Sequence, residues 1–174
     1  MRPLAWVGAV VLLAALLWPE LGRYRAEREL RLGTAELRRA LATSRTTEEA
    51  RPALDRAAAH AIAAAPGLPQ DPRPRVLAGS ARLVAGRALE ALDFYRDALA
   101  TGERAEIDLN LGRSHAVAGE RPEAQAALLR ALWISPALSG SLPEPVAKRL
   151  SEEVTRLENE LAAGLLSAPP PLPD

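Results

Sequence analysis

Cysteine is absent from this chain of 174 residues, and aromatic residues make up only 3% of it. The lack of cysteine excludes disulfide bonds, thiolate zinc sites and cysteine nucleophiles. Valine, isoleucine and threonine, which favour strands, are sparse, whereas alanine and leucine, which favour helices, dominate the apolar 48% of the chain. The composition therefore predicts an all-α protein.

An excess of basic charge is also missing, since 22 lysine and arginine residues balance 22 aspartate and glutamate residues. Broad binding to nucleic acid depends on a basic surface that neutralises phosphate charge. We therefore expect no nucleic-acid partner.

Charged residues are also lacking between Arg2 and Glu20, and the run at residues 3–19 is apolar. As a helix, this run would be about 25 Å long, near the lower limit for crossing a bilayer. Trp6 and Trp18 lie near its ends, where indole rings favour the membrane interface. We predict an N-terminal transmembrane helix. A cleaved signal peptide is the alternative, although no pair of small residues suited to cleavage follows the run.

The charges around this run leave the side of the membrane open. Four arginines follow it and favour a cytoplasmic domain, whereas the very short basic tail before it is typical of an export anchor. We predict a bacterial, single-pass protein of the inner (cytoplasmic) membrane, with its folded domain exported to the periplasm.

Two later segments, residues 72–100 and 105–133, resemble each other with a constant offset of 33 residues. Self-similarity at such a period is the signature of a helical repeat. The matching pairs are Gly79 with Gly112, Gly86 with Gly119, Ala91 with Ala124 and Ala98 with Ala131.

The second segment carries Asn110-Leu111-Gly112 in its first half and Pro136 just beyond its end. With the small residues at the offsets above, this pattern resembles the tetratricopeptide repeat (TPR) family. The resemblance implies antiparallel helical hairpins that stack into a short α-solenoid. Gly86 and Gly119 would then form the turns between the two helices of each hairpin.

The remainder of the chain divides around these repeats. A capping box at Thr46 and Glu49 predicts a helix start, so a divergent third hairpin is expected before the repeats. A later helix has one apolar stripe, as a solenoid cap needs. The predicted divisions are an anchor at 1–22, a stalk or divergent hairpin at 23–70, two TPR-like repeats at 71–138, a C-terminal capping helix at 143–166 and a proline-rich disordered tail at 167–174.

Residues suited to catalysis or to metal binding do not form a pattern. His60 and His115 have no second histidine or cysteine nearby in the sequence to complete a metal site. The serines at 80 and 114 fall within predicted helices and not at a nucleophile turn. We predict no enzymatic activity, no metal and no cofactor.

In the family that the repeats resemble, the first helix of each hairpin lines a concave groove that holds peptides or helices. The resemblance implies a protein partner, either a helix or an extended peptide. We expect a membrane-anchored scaffold that binds this partner in an envelope assembly; the alternative is an integral structural subunit of a larger membrane complex. The oligomeric state is left open. The implied groove residues are Arg73, Val76, Ser80, Leu83, Val84, Glu106, Leu109, Asn110, Arg113 and Val117.

Overall fold

The computed structural model describes the backbone of residues 2–167 and the side chains of residues 18–167. Throughout this part of the chain the regular structure is helical, and no strand is present. The all-α prediction is confirmed. The tail at residues 168–174 lies outside the described residues.

The described residues form seven α-helices. Short 3₁₀ turns at Ala65–Gly67 and Pro136–Ser141 follow the second and sixth of them. The α-helices are α1 (Arg2–Thr43), α2 (Thr47–Ala64), α3 (Arg73–Val84), α4 (Ala88–Leu99), α5 (Ala105–Ala118), α6 (Arg121–Ile134) and α7 (Glu144–Ala162).

Each helix packs against the next one in the chain, so that α1–α2, α3–α4 and α5–α6 form three stacked hairpins. The odd-numbered helices α1, α3 and α5 also contact one another and form an inner layer, while α2, α4 and α6 lie outside it. Helix α7 packs against α6 and covers the last hairpin. This order places one face of α1, α3 and α5 side by side along the inner surface.

The predicted transmembrane helix is not supported. In the part of the chain that the structure describes, no helix combines the length and the apolar character needed to cross a membrane. This finding contradicts both the anchor at residues 3–19 and the single-pass inner-membrane location. The backbone of the segment belongs to α1, which continues through Pro19 as far as Thr43. The side chains of residues 3–17 lie outside those described.

Local sequence signals set several helix ends. The Thr46 hydroxyl accepts a hydrogen bond from the Glu49 backbone N–H, and the Glu49 carboxylate accepts one from the Arg45 N–H at 2.8 Å. These bonds satisfy amides that the start of α2 would leave unpaired. Gly86 and Gly119 follow α3 and α5 with φ of 77° and 86°, a backbone region that favours glycine and permits the tight turn of each hairpin.

Glycine also allows each inner helix to approach its outer partner closely. A Cβ added at Gly112 would lie 2.6 Å from Leu128 Cγ on α6, and one at Gly79 would lie 2.9 Å from Tyr95 on α4. Gly33 has the same role on α1, where an added Cβ would lie 2.9 Å from the Ala57 carbonyl oxygen on α2. The sequence comparison missed Gly33.

Buried side chains form a continuous core between the hairpins. Alanine dominates between α1, α2 and α3, with Ala57, Ala58 and Ala61 fully buried. Larger residues fill the later junctions, where Leu92 and Tyr95 pack between α4 and α5. On α7 the buried residues are Leu150 and Val154, which pack against the last hairpin. Of the other residues in the apolar stripe of α7, Val146 and Leu157 are half-buried and Leu161 is exposed.

The close helix approach predicts opposite effects for the same substitution at two glycines. Gly112→Ala should lower the free energy of unfolding by up to about 2 kcal/mol, because overpacking costs about 1–3 kcal/mol and the helix propensity of alanine offsets about 1 kcal/mol of it. Gly22→Ala is the matched control, since an added Cβ there meets nothing within 4 Å. It should be neutral or stabilising. Urea unfolding measures both, and equal effects would contradict the packing role.

Candidate functional site

Three adjoining cavities lie along the inner layer of helices. One of about 560 Å³ lies between α1 and α3, and one of about 370 Å³ lies between α3 and α5. A third, of about 520 Å³, lies at the end of the groove beside the loop that leads into α3. Arg73 lines all three, so the cavities adjoin one another, and together they are called the groove.

The floor of the groove is apolar. Leu77 lines the cavities on both sides of α3, Leu30 adds to the floor on the α1 side, and Val76 and Ile107 add to it on the α5 side. Leu30, Leu77 and Ile107 are buried in the core, whereas Val76 is half-buried. Apolar side chains of a ligand can therefore contact this floor without any rearrangement of the core.

Arg73 connects the elements that border the groove. Its Nη2 donates to Asp71 Oδ2 and to Glu27 Oε1, both at 2.6 Å, and its Nε donates to Asp71 at 2.8 Å. The hydrogen bonds from Arg73 lower the pKa of Asp71, and the nearby charge of Arg104 adds a smaller effect in the same direction. The guanidinium thereby ties α1 to the loop that leads into α3.

The rim of the groove carries further arginines. Arg31 and Arg38 border the cavity on the α1 side, and Arg104 borders the other two cavities. Among the described residues, none forms an ion pair with these three side chains. Glu27, whose spacing on α1 would suit a pair with Arg31, pairs with Arg73 on α3. Arg31 is therefore free to contact a ligand.

Four of the ten predicted groove residues come together in the cavity between α3 and α5: Arg73, Val76, Ser80 and Glu106. Glu106 is exposed at the rim. The Ser80 hydroxyl lies 3.0 Å from the phenol oxygen of Tyr95, which is buried beneath it. Burial raises the pKa of Tyr95 to about 12, so the phenol stays protonated and the contact is a neutral hydrogen bond.

Two predicted residues, Asn110 and Arg113, lie outside the three cavities, near the turn that precedes α7. The Arg113 guanidinium donates to Asn110 Oδ1 at 3.3 Å and to the Ser141 carbonyl oxygen at 2.8 Å. Both side chains thus hold the 3₁₀ turn that precedes α7. Asn110 was predicted as a groove residue, and in this structure its amide oxygen is already engaged by Arg113.

The other four predicted residues do not line the cavities. Leu109 is only 5% exposed and packs against Leu128, Leu132 and Leu150, so its assignment to the groove is wrong. The physical reason is that α7 covers this face of the last hairpin. Leu83 packs half-buried against the core between α3, α4 and α5. The remaining two residues, Val84 and Val117, are exposed but lie outside the cavities.

The sequence reading missed the contribution of α1 to the groove. Glu27, Leu30, Arg31, Thr34 and Arg38 line the largest cavity, yet their segment was predicted only as a stalk or divergent hairpin. The available signal was Gly33, a small residue inside an otherwise charged helix. The 33-residue comparison could not find it because the connection between α2 and α3 is longer than those between the later helices.

Both histidines contact a carboxylate through a ring nitrogen. His60 Nδ1 on α2 lies 2.6 Å from a Glu29 carboxylate oxygen on α1. His115 Nδ1 lies 2.6 Å from Glu120 at the start of α6, and its ring is buried. Within the described residues no group of three or more histidine, cysteine or acidic side chains is placed to hold a metal ion. These contacts connect neighbouring helices and do not border the groove.

Asp108 is the most unusual polar residue of the core. It lies near the start of α5, it is fully buried, and neither of its carboxylate oxygens has a hydrogen-bond partner. Burial and, to a smaller extent, the negative charge of Glu103 raise its pKa to about 7, against an opposing effect of Arg130. Arg130 is held by Glu103, with Nε 2.5 Å from a carboxylate oxygen. The sequence reading gave no role to Asp108.

Asp108 predicts a loss of stability with rising pH. Its folded pKa is about 7, against an ordinary value of 3.8, so the folded state holds a proton that the unfolded state releases. Stability should therefore fall as the pH rises from about 4 to about 7 and remain low above this range. Asp108→Asn removes the charge. The free energy of unfolding of the variant minus that of the parent should be about 2 kcal/mol larger at pH 8 than at pH 5.

Urea unfolding at the two pH values measures this difference. Asp97→Asn, at an exposed position of α4, is the matched control and should have the same small effect at both. An Asp108→Asn effect that does not change with pH would contradict the prediction.

Comparison with known proteins gives no family for the chain: no protein-family model matches it, and neither a curated protein nor a solved structure does. No relative therefore assigns a partner or an activity to the groove.

Proposed function

We propose that this protein is a non-catalytic adaptor of the TPR type that binds an extended segment of a partner protein in its inner groove. The observation that carries this proposal is the row of adjoining cavities along α1, α3 and α5, with an apolar floor and an exposed charged rim. Such an arrangement provides apolar burial for affinity and rim charges for orientation.

The repeat geometry supports the family part of the proposal. Three hairpins stack in sequence, and Gly33, Gly79 and Gly112 let the inner helix of each approach its outer partner. A hairpin of this kind exposes an apolar face that only a neighbouring hairpin or a cap can cover. Stacking of this kind leaves the inner surface available for a ligand.

The dimensions of the groove favour an extended segment over a helix. Packed helices lie about 8–10 Å apart, so the path across three inner helices is about 20 Å long. At about 3.3 Å per residue, this path holds roughly six residues of extended chain. A helix is about 10 Å wide and would rest on the rim of the shallow cavities without reaching the floor.

The polar side chains of the groove support binding and not catalysis. The Ser80 hydroxyl is hydrogen-bonded to the Tyr95 phenol, and the one described carboxylate of its cavity, Glu106, forms no hydrogen bond with it. Arg73 is engaged with two carboxylates. A nucleophile needs a base within hydrogen-bond reach, and the described groove residues do not provide such a pair.

A second candidate function is a permanent subunit of a larger protein assembly. Trp18, Leu21 and Tyr24 on α1 are 74%, 50% and 68% exposed. Exposed aromatic residues of this kind are typical of protein contacts. Light scattering on the purified chain separates the two: a monodisperse, stable protein favours the adaptor, and aggregation without partners favours the subunit.

Site-specific crosslinking tests the adaptor proposal. A photoreactive phenylalanine in place of Glu106, at the rim, should capture a defined partner protein in cells that express the full chain. The matched control has the photoreactive phenylalanine in place of Gln125, which is exposed on the outer helix α6. This control should not capture the partner protein. Adding Val76→Trp, which fills the cavity between α3 and α5, should abolish the adduct at position 106. Equal capture at both positions, or an adduct that survives the filled cavity, would contradict groove binding.

A further inference from the structure

The charges around the groove are not neutralised by the chain itself. Its acidic lining residues are Glu27, Asp71 and Glu106, and Arg73 already engages the first two. Arg31, Arg38 and Arg104 have no ion-pair partner among the described residues. Arg23 and Arg73 also line the cavities, so five arginines stand against these three carboxylates and the groove has an excess of positive charge.

The arginines lie at the rim and the apolar side chains at the floor. Arg31, Arg38 and Arg104 are exposed, whereas Leu77 and Ile107, beneath them, are buried. An extended chain directs successive side chains to opposite sides. A ligand that alternates carboxylate with apolar side chains would therefore meet both the rim and the floor.

We propose that the groove selects an acidic partner segment, in which aspartate or glutamate residues alternate with aliphatic residues and contact Arg31, Arg38 and Arg104. This inference rests on the proposed adaptor function and adds the chemistry of its ligand. Arginine suits the role because its guanidinium pairs with a carboxylate through two parallel hydrogen bonds.

Nucleic acid fits the same surface poorly. The whole chain has a formal net charge of zero, so it lacks the field that concentrates a polyanion. Single-stranded nucleic acid also needs aromatic rings on which bases can stack. The described lining residues of the three cavities include no aromatic side chain. The aliphatic floor instead matches aliphatic side chains of a protein segment.

Fluorescence anisotropy on the full chain tests the inference. The probe is a short fluorescein-labelled peptide in which glutamate alternates with leucine. The comparison peptides carry glutamine or lysine in place of glutamate, and a labelled single-stranded oligonucleotide tests nucleic acid. We expect the glutamate peptide to bind at least about tenfold more tightly than the glutamine peptide, and its affinity to fall with added salt, because the rim pairs are exposed and screened.

A triple variant removes the three rim arginines: Arg31→Gln, Arg38→Gln and Arg104→Gln. It should weaken binding of the glutamate peptide about tenfold, because three exposed ion pairs are lost. The matched control is Arg28→Gln, Arg39→Gln, Arg121→Gln, which removes the same charge from exposed positions that do not line the cavities. It should retain the affinity. Circular dichroism checks that both variants remain helical.

The outcomes separate the inference from the adaptor function. Equal binding of the glutamine or lysine peptide would overturn the acidic preference and leave peptide binding in the groove intact. Equal loss in both triple variants would show a general charge effect and overturn the role of the rim. No binding of any peptide, or tighter binding of the oligonucleotide, would overturn the inference, while the crosslink at position 106 decides the adaptor function independently.

Discussion

The close approach of each inner helix to its outer partner is the constraint on which the rest of this fold depends. Gly33, Gly79 and Gly112 each face an atom that an added Cβ would meet at 2.9 Å or less. A hairpin of two closely packed helices cannot bury its own outer apolar face. The hairpins must therefore stack, and α7 must cover the last one. Because the outer helices pack tightly at these points, the inner helices align side by side, and their common face becomes the groove.

Which arginines remain available at the rim of the groove depends on how a few carboxylates are paired. Glu27 could pair with Arg31 on its own helix, at a spacing suited to a helical ion pair. It pairs instead with Arg73 on α3, where Asp71 already holds the same guanidinium. This arrangement fixes the position of α3 relative to α1 and leaves Arg31 at the rim without a partner among the described residues.

Asp108 shows the cost of a polar residue inside such a stack. Its buried carboxyl group has no hydrogen-bond partner, whereas the buried His115 ring contacts Glu120 and the buried Ser114 hydroxyl donates to the Asn110 carbonyl oxygen. An ionised carboxylate without partners is expensive to bury, and protonation relieves part of that cost. The junction between α5 and α6, at the C-terminal end of the groove, therefore loses stability as this group ionises.

The sequence by itself determined the helical class, the repeat of 33 residues, the turn glycines and the start of α2 at Thr46. Each of these depends on local propensity or on contacts between residues close in the chain. Only the tertiary structure decided that α1 contributes to the groove, that Leu109 is buried under α7, and that Glu27 pairs with Arg73 and not with Arg31. These outcomes depend on which helices pack together across longer connections, and the periodicity of one segment does not contain that information. The predicted transmembrane helix, an inference from the apolar character of one segment, is likewise contradicted by the helices that the structure describes.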